Sequence, residues 1–292
     1  MRVTDSMISD LARTSVGNAR DRALETQRVA STGIRVEKPS DDPTAAAFGR
    51  RKEAEQSRID AMVKAAKAGA LALNSTDDGL SHIDDLLARA QELAVQAANA
   101  TTSAADRVTL GNEIASLRGA ILAVANSQVD GHFVMGGMKQ DTPPFDASGT
   151  FVGDRTAPTI DVAPGIRVAT SVSAGEVLAP AGGLDVPDAL ARLATALSTN
   201  DVAGIRTGID DMGTATQQVS GARGALGVSS STLEMASSVG TAMSDRAKEA
   251  RSAAVEADAY DSISALTTAQ TALQQAVAIA AKLPLPGLAQ KA

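Results

Sequence analysis

The residues best suited to chemistry in this chain are few, and their spacing does not gather them into a reactive group. Asp41 and Asp42 are adjacent carboxylates, a pairing that can serve acid–base work when a histidine, lysine or nucleophile stands beside it. No such partner is spaced to join them. Asp42 followed by Pro43 reads instead as a helix N-cap with proline in the first turn. Asn74, Thr76, Asp78 and Asp85 echo the ligand positions of a calcium loop, but Asn replaces the first Asp and Asp the final Glu. An apolar heptad runs through that stretch, so these residues are expected as exposed polar positions on a long helix. His82 falls about 200° around a helix from Leu80, His132 sits near a Gly-rich turn, and neither has metal-ligand company. Gly221, Gly224 and Gly227 are three apart with no apolar strand before them, unlike a dinucleotide-binding turn. The Asn-X-Thr triplets at Asn74 and Asn99 fall in helical context and carry little information. No catalytic set, cofactor site or metal site is assigned.

Composition points the same way. The 292 residues include one Tyr, four Phe and no Trp or Cys. Small aliphatic side chains suit closely packed helices better than a ligand pocket, which aromatic residues usually line. A formal charge of −7 with a pI near 4.9 disfavours nucleic acid, whose binding needs clustered Lys and Arg. The absence of Cys removes disulfides and thiolate chemistry. No apolar run approaches the roughly 20 residues of a membrane span, and the first fifteen residues lack the apolar core of a signal peptide. If the chain is exported, it uses another route.

The elements are helical by periodicity. Over residues 59–97, Leu80, Ile83, Leu87, Ala90, Ala94 and Ala97 recur at steps of three and four, a heptad seam on a helix about 58 Å long. Thr101, Thr102 and Ser103 break it, and Ser103 or Asp106 can cap a second helix with Leu110, Ile114, Leu117, Ile121 and Val124 on one face. These two helices should pack antiparallel. Leu190, Leu193 and Leu197, then Val202, Ile205, Ile209 and Met212, mark further helix, and residues 221–227 read as a loop or helix start. Ile263, Leu266, Leu273, Val277 and Ala280 form one row of a last helix that residues 283–287, Leu-Pro-Leu-Pro-Gly, should end. At the N-terminus Ile8, Ala12, Val16, Ala19, Ala23 and Ala30 repeat the step, but so much Ala buries little area per residue. Such end helices should pair with one another or with neighbouring subunits. The texture changes over residues 138–183 to Pro, Gly, Thr and Val, with strands expected at 150–152, 159–162, 166–172 and 176–178 and a type II turn at Pro164-Gly165.

Ser31-Thr-Gly-Ile-Arg-Val36 through Ser40-Asp-Asp-Pro43 resembles the N-terminal signature of bacterial flagellins. Arg89-Ala-Gln-Glu-Leu-Ala-Val-Gln-Ala-Ala-Asn99, Asp106-Arg107 and Glu113-Ile114 are similar to that family's helical core, and Glu256-Ala-Asp-Ala-Tyr-Asp261 with Thr268-Ala-Gln-Thr-Ala-Leu-Gln274 to its C-terminal helix. Met1-Arg-Val-Thr4, Gly131-His-Phe-Val-Met-Gly-Gly137, Asp141-Thr-Pro-Pro-Phe145, Gly153-Asp154, Ala163-Pro-Gly165 and Gly175-Glu-Val177 resemble the family's hook-filament junction members, departing at Val134-Met135 and in the proline-rich tail.

The resemblance implies a structural flagellar role rather than an enzyme. The expected fold is mainly α, a long antiparallel helical rod with a small β-rich inserted domain. Residues 1–38 and 252–292 would form an assembly domain, 39–137 and 184–251 a rod core, and 138–183 the insertion. Assembly contacts are expected from Ile8, Ala12, Val16, Ala19 and Ala23 against Ile263, Leu266, Leu273 and Val277. Implied partners are neighbouring copies, a hook-side junction protein, flagellin on the filament side and a type III export chaperone, with neither nucleic acid nor membrane. The implied location is the extracellular flagellum, reached without a cleaved signal peptide. A compact filament flagellin and a cytoplasmic coiled-coil signalling scaffold are the alternative readings.

Overall fold

The computed structural model describes residues 5–163 and 165–282. The Met1-Arg-Val-Thr4 start, Pro164 of the expected turn and the helix stop at 283–287 lie outside the described residues. In chain order the elements are α1 (Asp5–Thr32), α2 (Pro43–Ala98), α3 (Ala104–Ala125), β1 (Gln128–Val129), β2 (His132–Phe133), β3 (Thr159–Ala163), β4 (Ile166–Ala169), α4 (Ala174–Leu178), α5 (Val186–Ser198), α6 (Val202–Val255) and α7 (Ala259–Lys282). The fold is mainly α, with 56 residues in α2 and 54 in α6. The chain divides into two compact units, Ile59–Ala242 and Met1–Arg58 with Met243–Ala292, and α2 and α6 contribute to both.

In the unit Ile59–Ala242 the α2 seam of Leu73, Leu80, Ile83, Leu87, Ala90, Ala94 and Ala97 is fully buried. Ile205, Met212, Ala215, Val219, Leu226 and Leu233 form the matching buried row of α6. The two helices are antiparallel: Arg223 pairs with Asp77 at 2.9 Å, while Gly240 lies so near Val63 that a Cβ would stand 2.5 Å from it. The Ser103 hydroxyl caps α3 by accepting from the Asp106 N–H at 3.1 Å. That helix runs back along α2, with Arg89 on Glu113 at 2.9 Å and Arg107 Nε on the Ala97 carbonyl at 2.8 Å. Helix α5 packs antiparallel to α3, with Arg118 Nε donating to the Pro187 carbonyl at 2.8 Å. It turns into α6 through Asn200 at φ 56°. Heptad packing and buried Leu190, Leu193 and Leu197 close the core.

The β structure is slight. Strands β1 and β2 form a hairpin over Asp130 and Gly131, both at positive φ, and β3 pairs antiparallel with β4 in the register Ile160↔Val168. Gly137, at φ 67°, allows a close approach to the Asp154 carbonyl that a side chain would block.

Several expectations change. Residues 176–178 lie in α4 rather than a strand, because the Ser173 hydroxyl caps the segment by accepting from the Gly175 N–H at 3.2 Å. Of residues 150–152 only Phe151 pairs, in an isolated bridge to Phe145, where the two rings meet edge to face at 5.6 Å. Residues 221–227 are helical within α6, since Val219, Leu226 and Leu233 remain buried on the core side and the glycines face open space. Thr76 is buried rather than exposed, its hydroxyl donating to the Ala72 carbonyl at 2.8 Å.

Candidate assembly surface

The terminal helices meet in the unit Met1–Arg58 with Met243–Ala292. Helix α1 ends at Thr32, and Gly33 follows at φ 69°, its N–H donating to the Val29 carbonyl at 2.8 Å. A glycine in the left-handed region is the commonest way to stop a helix without a Cβ clash. The chain then crosses the end of α6. The N–H groups of Arg35 and Val36 donate to the Val255 carbonyl at 2.9 and 3.0 Å, and Arg35 Nη2 donates to the Ala254 carbonyl at 2.7 Å. These donors satisfy carbonyls in the last turn of α6, and the cation complements the negative end of that helix. Ile34 bridges Glu256, and the Ala257 N–H donates to the Gly33 carbonyl at 2.9 Å. The start of α7 is thereby held at the end of α1, so the two helices run antiparallel.

The carboxylates of residues 37–42 hold the same turn. Asp41 accepts from the Lys38 and Glu37 N–H groups at 2.9 and 3.1 Å, and the Lys38 bond most of all holds its carboxyl below the usual range. Asp42 caps α2 by accepting from the Ala45 and Thr44 N–H groups at 2.9 and 3.1 Å. The Ala45 bond leads in lowering its pKa, and the charge of Arg35, 3.6 Å away, adds to it. Arg28 bridges Glu25 and Glu37 at 2.6 and 2.8 Å, and its hydrogen bond lowers the pKa of Glu25. Asp258 repeats the capping device on α7, accepting from the Tyr260 N–H at 2.8 Å. A cleft of about 260 Å³ beside this turn is walled by Ile34, Val36, Pro39 and Val255, with Arg251 3.9 Å from Glu53 on its rim.

The α1–α7 pair sorts the expected assembly residues into two sets. Ala12, Val16, Ala19 and Ala23 on α1 and Leu266 and Leu273 on α7 are partly or wholly covered, along the sides where the two helices pack. Ser262, Ala269, Ala276 and Ala280 complete the α7 seam at steps of three and four. Ile8, Ile263 and Val277 are not in that seam: they are 36%, 61% and 49% exposed. Met7, Leu11, Leu24 and Ile279 share their exposure. Sequence reasoning missed Arg35, whose reach to α6 spans 219 positions and leaves no periodic signal. It also did not separate the seam of α7 from its outer face, because Leu266 and Leu273 of the seam and Ile263 and Val277 of the outer face fall in one apolar row at helical spacing.

A profile of the bacterial flagellin N-terminal helical region matches residues 3–140. No curated protein sequence matches the chain. Among solved structures, a Vibrio parahaemolyticus protein described as a flagellar hook-associated protein is similar over 73% of this chain and 99% of its own, with 22% identity and a TM-score of 0.68. FlgL of Xanthomonas campestris is similar over 70% and 99%, with 17% identity and a TM-score of 0.60. Hook-associated protein 3 of Legionella pneumophila is similar over 68% and 97%, with 16% identity and a TM-score of 0.61. At these identities the likeness to solved structures is one of fold. The turn at residues 31–43 and the helices it joins, α1 and α2, lie within residues 3–140, the segment that is similar to the bacterial flagellin N-terminal helical region.

Proposed function

We propose that the chain is a structural component of the bacterial flagellum, a hook-associated junction protein that links hook to filament by self-assembly rather than by catalysis. The observation that carries this reading is the α1–α7 pair, which buries one Ala-rich seam and leaves Ile8, Leu11, Ile263, Val277 and Ile279 open to solvent. Two small-residue helices that cover so little of each other gain apolar burial from neighbouring copies, which couples assembly to their final packing. A head-to-tail contact repeated with helical symmetry propagates, as a tubular filament or an adaptor ring within it requires. In this reading residues 1–38 and 252–292 form the assembly domain, 39–137 and 184–251 the helical core, and 138–183 the β-rich insertion. Ile8, Ala12, Val16, Ala19 and Ala23, with Ile263, Leu266, Leu273 and Val277, supply the assembly contacts.

The partners are further copies of the chain, the other junction protein on the hook side and flagellin on the filament side. The route outward is type III export with a dedicated chaperone and no cleaved signal peptide, to the extracellular junction between hook and filament. Immunogold labelling of isolated flagella tests the reading directly. A band confined to that junction is expected; label along the whole filament would make the chain a compact flagellin, and unlabelled flagella would return it to a cytoplasmic scaffold.

A further inference from the structure

The outer face of α6 is unusual for an exposed helix. Val228, Met235 and Val239 are 70%, 67% and 54% exposed and lie seven and four residues apart, on one face and on the side opposite the buried Leu226 and Leu233. From Gly224 to Ala242 the only charged residue is Glu234, in a chain that is 21% charged. Gly224 and Gly227 on this stretch have open space where a side chain would stand. Each glycine lowers helix propensity by about 1 kcal/mol relative to alanine, so nothing within the described chain accounts for them. An apolar, uncharged face of this kind excludes a charged partner, because the partner's charges would be desolvated without pairing.

A second long helical stretch of the chain is also poor in charge. From Ser262 to Ala281 α7 has no charged residue, and Ile263 and Val277, two heptads apart, are 61% and 49% exposed. We infer that the α6 face at Val228, Met235 and Val239 packs, in the assembled state, against the α7 face at Ile263 and Val277 of a second copy of this chain. This rests on the assembly function proposed above and names the surfaces that carry it. The two faces match in lacking charge and in helical spacing, and the glycines of α6 let the backbones approach closely. The contact joins different surfaces on the two copies, so it propagates instead of closing on a dimer.

The absence of native cysteine makes the test direct. Full-length Met235→Cys and Val277→Cys copies are produced together in flagellated cells lacking the native copy, and the isolated flagella are oxidised. A disulfide-linked dimer that forms only when both variants are present is expected. A dimer from Met235→Cys alone, or no link although both variants are in the flagella, overturns the inference. Independently, Met235→Lys should fold with unchanged helicity, its side chain being exposed, yet enter flagella about tenfold less; undiminished entry overturns the inference. If the unmodified chain does not enter flagella, the proposed function falls and this inference with it. If it enters while the paired variants fail to link, only the inference falls.

Discussion

Arg35 Nη2 donates to the carbonyl of Ala254 at 2.7 Å, joining the turn after α1 to the last turn of α6 across 219 positions of sequence. With the Arg35 and Val36 N–H groups on Val255, it makes the end of one helix the anchor for the turn between two others. This anchor fixes where α1 ends and where α7 begins.

Gly33 is the pivot of the anchor. An alanine there meets no atom within 4 Å, so its cost is that of the left-handed backbone alone, about 1–2 kcal/mol. Gly33→Ala should lower the thermal midpoint and raise amide exchange in α1 and α7, while Gly33→Asn should do less harm, since Asn tolerates that conformation. Equal exchange in all three proteins would contradict the role given to the turn.

The carboxylates of the turn set a pH dependence. Asp41 and Asp42 have folded pKa values below the ordinary range, so they favour the fold above the unfolded value near about 3.9. That contribution is lost as the pH falls through the depressed folded values. Amide protection factors at residues 37–45, exchange rates divided into the intrinsic rate at each pH, should therefore stay constant near neutrality and fall in acid. In Asp41→Asn/Asp42→Asn that acid step should be flattened, which a pH series of protection factors would reveal.

Leu87 is fully buried in the α2 seam, and Leu71 is 71% exposed on the same helix. Leu87→Ala should cost about 2–5 kcal/mol through lost burial and a residual cavity. Leu71→Ala should change stability by less than about 0.5 kcal/mol. Denaturant unfolding of the two variants side by side measures the difference.

Arg107 is buried and donates to the Ala97 and Asn99 carbonyls and to the Asn200 side chain. It ties the end of α2 to the turn between α5 and α6. Arg107→Lys keeps the charge but not the planar fork. The variant should lose about 1–3 kcal/mol, from carbonyls left without a donor, and urea unfolding would show it as a lower midpoint with an unchanged slope.

Much of the helical layout was legible from periodicity. Leu80, Ile83 and Leu87 announced their own burial through steps of three and four, and Ser103, Asp42 and Pro43 marked helix starts through local capping, which acts within a few residues. The 176–178 segment misled because Glu176-Val177-Leu178 is too short to show either a helical or a strand period, and the Ser173 cap decided the outcome. Residues 221–227 misled because glycine weakens a helix locally, while buried neighbours at Val219 and Leu226 hold it in place.

The candidate surface was only half legible. The sequence alone determined that α1 and α7 are amphipathic, that the chain has no cysteine, and that residues 31–43 break and restart a helix. Only the tertiary structure decided which apolar rows face inward, that Arg35 caps a helix 219 positions away, and that Val228, Met235, Ile263 and Val277 remain uncovered. The physical reason is range: capping and periodicity act within one or two helical turns and are written into adjacent residues, whereas burial depends on which distant element arrives at a face.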